Sequence, residues 1–73
     1  MYITAYHYSG VGSEEDEEIH QIFRAHDGSP AGSGYFFPTG ERDIEYLVPG
    51  RHAKACVAAL KAAGYKVDYP DNV

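Results

Sequence analysis

Residues 2–8 read Tyr2-Ile3-Thr4-Ala5-Tyr6-His7-Tyr8, and this stretch decides the fold. It is dense in residues that favour extended backbone, and alternation divides it into two sets. Tyr2, Thr4, Tyr6 and Tyr8 fall on one side and Ile3, Ala5 and His7 on the other. The pattern predicts a strand with the small aliphatic side chains facing a core.

Downstream, Ser9-Gly10-Val11-Gly12 supplies a turn, and Ser13 stands before the acidic run Glu14, Glu15, Asp16, Glu17 and Glu18. Ser13 reads as a helix N-cap, with carboxylates in the first turn where the helix dipole favours them. Ile19, Ile22, Phe23 and His26 follow at i, i+3, i+4 and i+7, which predicts an amphipathic helix from Glu14 to Ala25. Asp27 to Gly34 holds three glycines and a proline in eight residues and reads as a loop. Tyr35, Phe36 and Phe37 then form a short aromatic strand. A turn at Pro38–Arg42 leads to a second alternating segment, Asp43 to Val48, with Ile44, Tyr46 and Val48 on one face. Pro49-Gly50 ends this hairpin. Arg51 to Ala63 carries Ala53, Cys56, Val57, Leu60 and Ala63 at helical spacing, and Gly64 is placed to stop the helix. Tyr65, Val67 and Tyr69 alternate with Lys66 and Asp68 up to Pro70, a last strand.

The order β-α-β-β-α-β is the pattern of an α+β, ferredoxin-like sandwich, a four-stranded antiparallel sheet with two helices on one face. Right-handed crossovers make the first and third strands central and leave the other face open. An alternative without the weak second strand has three strands under two helices. At 73 residues the chain is expected to be a single domain, residues 1–73.

If Ile3 and Ala5 meet the helices, the pleat sends Tyr2, Thr4, Tyr6 and Tyr8 to the open face, joined by Glu45, Leu47, Lys66 and Asp68. Tyrosine offers rigid area and a hydroxyl, so such a face suits contact with another protein. The expected function is therefore a small acidic binding module, an adaptor or inhibitor. Its partner-binding residues would be Tyr2, Thr4, Tyr6 and Tyr8, with Glu14, Glu15, Asp16, Glu17 and Glu18 as a second, electrostatic candidate for a basic partner surface. Self-association of the open face, giving a homodimer, is a further use of the same rings. The plain alternative is that the tyrosines only cover the sheet.

Eleven acids against six bases give a formal charge of -5, the wrong sign for bulk attraction to phosphate. Residues 1–50 carry nine acids against two bases, and residues 51–73 four bases against two acids, so the molecule has an acidic pole and a basic second helix. RNA-recognition modules also display rings on central strands, but they surround them with Lys and Arg, which are missing between Met1 and Tyr8. A single-stranded nucleic-acid binder using the sheet aromatics is thus the weaker alternative. Another is a phage or mobile-element inhibitor that mimics nucleic-acid charge. One cysteine closes no intrachain disulfide, no 18-residue apolar run is present, and MYITAYHYSG lacks the layout of a secretion signal, so the expected location is the cytoplasm, away from membranes.

Catalytic and metal chemistry find little support. His52 and Cys56 share a helix face but lack further ligands, His20 and His26 point apart, and Cys56 lies on an apolar stripe. The glycine-rich segment 28–34 lacks the lysine of a phosphate loop. Glu41, Asp43 and Glu45 all face water with no pocket to shift them. No enzyme activity, cofactor or metal is expected.

Overall fold

The computed structural model describes residues 1–72. The elements are β1 (Tyr2–His7), α1 (Glu14–Ala25), β2 (Ser29–Phe36), β3 (Glu41–Leu47), α2 (Gly50–Ala62) and β4 (Lys66–Asp68). All strand pairs are antiparallel, and the order β2-β3-β1-β4 puts β1 and β3 in the middle. The architecture is α+β, an open four-stranded antiparallel sheet with two helices.

Alternation in β1 and β3 builds the core. Ile3 and Ala5 from β1, Ile44 and Tyr46 from β3, Ile19 and Phe23 from α1, and Cys56 and Leu60 from α2 belong to one buried cluster, so both helices pack on the same face of the sheet. Burying these side chains is the main favourable term in folding. Tyr46 is the largest of them. Its ring stacks on Phe23 with centroids 4.4 Å apart, and its hydroxyl hydrogen-bonds Nδ1 of His20 at 2.7 Å, which satisfies the one polar atom that burial would otherwise leave dry.

Both helices end in the same hydrogen-bonded turn. Gly28 N–H donates to Phe23 C=O and Tyr65 N–H to Leu60 C=O, each closing a loop over a residue in the left-handed region. After α2 that residue is Gly64, but after α1 it is Asp27, at φ 59°. The caps at the starts differ too. Ser13 Oγ accepts the Asp16 N–H, whereas Pro49 gives α2 no side-chain cap.

One expected element differs. The segment read as a loop, Asp27 to Gly34, is mostly β2, the longest strand of the sheet. Its composition opposes a strand, and pairing overrides composition. From Gly32 to Phe36 every residue is in register with β3, and Arg42 donates across to the Gly34 carbonyl at 3.2 Å. Gly34 leaves room for the Asp43 carboxylate to lie over it, since a Cβ there would stand 2.6 Å from Oδ1 and push that side chain aside. Phe37, assigned to the aromatic strand, instead opens the turn into β3. Arg42, assigned to that turn, is an inward residue of β3. Helix α2 begins and ends one residue earlier than its periodicity suggests, and Ala63 is its exposed C-cap.

Candidate functional site

On the uncovered side of the sheet the strand registers lay out rows of residues. Lys66, Tyr6, Asp43 and Gly34 form one row from β4 to β2, and Asp68, Thr4, Glu45 and Gly32 the next. Tyr8 extends the tyrosine file past the end of β1. Thus Tyr2, Thr4, Tyr6 and Tyr8 all lie on the open face. Tyr2 and Tyr8 are 58% and 66% exposed, so their rings are free for contact.

Three of the four hydroxyls are engaged. Tyr6 O–H donates to Asp68 at 2.7 Å, Tyr8 O–H to Glu41 at 3.0 Å and Thr4 O–H to Glu45 at 3.3 Å. These bonds hold the rings in place and turn carboxylate lone pairs toward the face. The hydrogen bond to Asp68, aided by partial burial and by nearby Asp43 and Glu41, pushes the Tyr6 phenol up to about 12. The bond to Glu41 raises Tyr8 for the same reason. The Lys66 ammonium stands 5.1 Å from the centre of the Tyr6 ring. Among the described residues, Glu41, Asp43, Glu45 and Asp68 share this face with the Lys66 ammonium, so the surface is acidic and aromatic together.

The second candidate, the acidic run, lies on the helix layer and does not join the tyrosines in one patch. Glu14, Glu17 and Glu18 are exposed. Glu17 lies 3.8 Å from Arg24, and Glu18 accepts the Tyr65 hydroxyl. Asp16 is a correction to the expected partner-binding set, because it is 4% exposed and points into the protein. There it accepts Nε2–H of His7 at 2.5 Å, Nε–H of Arg42 at 3.0 Å, a second Arg42 N–H at 3.3 Å and the Gly12 N–H at 3.0 Å. Burial alone would raise this carboxyl, but the hydrogen bonds from Arg42, Gly12 and His7 outweigh it and hold the pKa at about 2. His7 Nδ1 accepts the Ser9 N–H at 3.1 Å, which leaves the ring proton on Nε2, pointed at Asp16. The cluster ties β1, β3 and the start of α1 together.

Sequence reasoning missed this cluster. Its signal was present, since Asp16 falls three and seven residues before Ile19 and Phe23 on the buried stripe, and His7 and Arg42 are inward in their strands.

Elsewhere the chemistry is sparse. Burial raises the Cys56 thiol to about 11, so it is a protonated core side chain rather than a nucleophile. His52 Nε2 lies 3.2 Å from Asp27, a partly exposed pair that links the end of α1 to the first turn of α2. A groove of about 240 Å³ runs between α2 and Tyr69, lined by Lys54, Val57, Ala58 and Lys61, away from the tyrosine face. Among the described residues, no three His, Cys, Asp or Glu side chains gather to hold a metal ion, and no helix is long and apolar enough to cross a membrane. No family model matches the chain, and no curated protein and no solved structure matches it.

Proposed function

We propose that this chain is a ferredoxin-like protein-binding module, an adaptor or inhibitor, whose open sheet face receives a basic surface of another protein. The sheet order, with β1 and β3 central and both helices on one side, supports the ferredoxin-like assignment. The observation that carries the functional reading is the interleaving of exposed rings with carboxylates on a face that no helix covers. Tyr2, Tyr6 and Tyr8 supply contact area, while Glu41, Asp43, Glu45 and Asp68 supply charge. Rings flanked by acids favour Arg and Lys side chains through cation–π and ion-pair contacts, and they repel phosphates. The same charge argues against a nucleic-acid ligand.

The acidic helix start is the lesser surface. With Asp16 turned inward, Glu14, Glu15, Glu17 and Glu18 remain to steer an approaching basic partner.

The test is affinity capture with the intact chain from its native host, followed by measurement of the captured partner's affinity. Asp43→Asn with Glu45→Gln should weaken that affinity by about tenfold, a loss of about 1.4 kcal/mol, and flatten its dependence on salt. Affinity that is unchanged by both substitutions and by salt contradicts the reading.

A further inference from the structure

Strand β2 is the outer strand beyond β3, and it lacks the usual defences of a sheet edge. Natural edges carry charges, prolines or bulges that discourage pairing with another chain. Ser29–Phe36 contains no charged residue. Its proline and its register irregularity lie at one end, between Pro30 and Gly32, while Gly32–Phe36 runs regularly. Of its residues only Gly34 is other than exposed.

The segment is also complementary to itself. Laid antiparallel to a second copy about a two-fold axis at Gly34, Gly32 meets Phe36 of the other chain and Ser33 meets Tyr35. Each large side chain thus faces a small one. Phe36 is 58% exposed and Tyr35 48% exposed, and the space where a Cβ would stand on Gly32 is empty to beyond 4 Å. An aromatic ring lying over a cross-strand glycine is a known device for stabilising such pairs. The two-fold arrangement is the isologous contact that closed dimers use.

Charge selects this geometry over others. Stacking two open faces would press Glu41, Asp43, Glu45 and Asp68 against their copies. Edge pairing instead separates the two β3 strands by three strand spacings, about 14 Å, which exceeds the Debye length of about 8 Å in physiological salt. The carboxylate that leans toward the junction is Asp43, over Gly34.

We propose that β2 pairs antiparallel with β2 of a second copy about Gly34, giving a dimer with one continuous eight-stranded sheet. Sedimentation equilibrium of the full chain over a wide dilution series should show an 8.0 kDa monomer converting to twice that mass. Gly32→Lys, whose side chain enters open space within the monomer, should raise the dissociation constant at least tenfold while leaving the urea unfolding curve in place at dilutions where the chain is monomeric. Phe36→Ser should do the same, and serves should the lysine variant not fold. Asp43→Asn should tighten the dimer, as should added salt. Tyr6→Ser with Tyr8→Ser should leave it intact. A monomer at every concentration overturns the proposal. So does a dimer that both edge variants leave unchanged, or one that the Tyr6 and Tyr8 substitutions abolish.

Discussion

Tyr6 and His7 are neighbours in the chain, yet they belong to opposite worlds. On the inner face of β1, a ring, a carboxylate and a cation (His7, Asp16, Arg42) are packed together away from water. On the outer face a similar set (Tyr6, Asp68, Lys66) meets in the open. The pleat alone makes this separation, because consecutive side chains point to opposite sides. What differs is the cost of disruption. In the dry set each group depends on the others to offset lost hydration. In the wet set water replaces any partner that is removed, so those side chains remain available for an incoming surface.

The largest difference between the sets should appear on removing the inner cation. Arg42→Met leaves the Asp16 carboxylate buried with half its donors gone and should cost about 3–5 kcal/mol. A domain of this length holds about 5 kcal/mol in total, so the variant should keep no more than about 2 kcal/mol and unfold at far lower urea than the native chain, followed by circular dichroism. Lys66→Met, its outer counterpart, should change the unfolding free energy by no more than about 0.5 kcal/mol.

Acid should separate the two faces next. Asp16 has a folded pKa of about 2 against an ordinary 3.8, so the unfolded chain takes up the proton first as pH falls. The resulting stability, about 2 kcal/mol, is fully present above pH of about 4 and drains away as pH drops toward about 2. Urea midpoints measured across that range should fall in the native protein, and Asp16→Asn should remove this contribution to the slope.

A smaller effect is expected inside the core. Tyr46→Phe leaves the stack on Phe23 but strands His20 without its hydroxyl partner, for a loss of about 1 kcal/mol in thermal or urea unfolding. The smallest belongs to the outer face. Asp68→Asn should leave stability within about 0.5 kcal/mol while bringing the Tyr6 phenol down from about 12 toward 10 in a spectrophotometric titration. A Tyr6 phenol that stays high would show that its bond to Asp68 is not the main cause.

These contrasts also explain what the amino-acid sequence made legible. Period-two alternation in β1 and β3 and the helical spacing of Ile19 with Phe23 and of Cys56 with Leu60 are local signals, and each element stands where they point. The open-face position of Tyr2, Thr4, Tyr6 and Tyr8 follows from the same alternation. The aromatic end of β2 was legible in Tyr35 and Phe36, but residues 29–34 were hidden because Ser, Pro, Ala and Gly carry little strand signal of their own. That part of the strand exists through pairing with β3, the Arg42 bond to Gly34 and the room Gly34 leaves for Asp43. Asp16 was hidden for the opposite reason. It sits in a run of five acids whose composition reads as solvated, and only its phase relative to Ile19 and Phe23 distinguishes it.

The most direct test joins stability and binding in one protein. Tyr6→Ser with Tyr8→Ser, compared with the native chain for urea midpoint and for capture of the host partner, should keep a native-like unfolding curve and lose capture. A double variant that unfolds would mean the rings serve the core, and a folded one that still captures its partner at full strength would mean the tyrosine face is not where the partner binds.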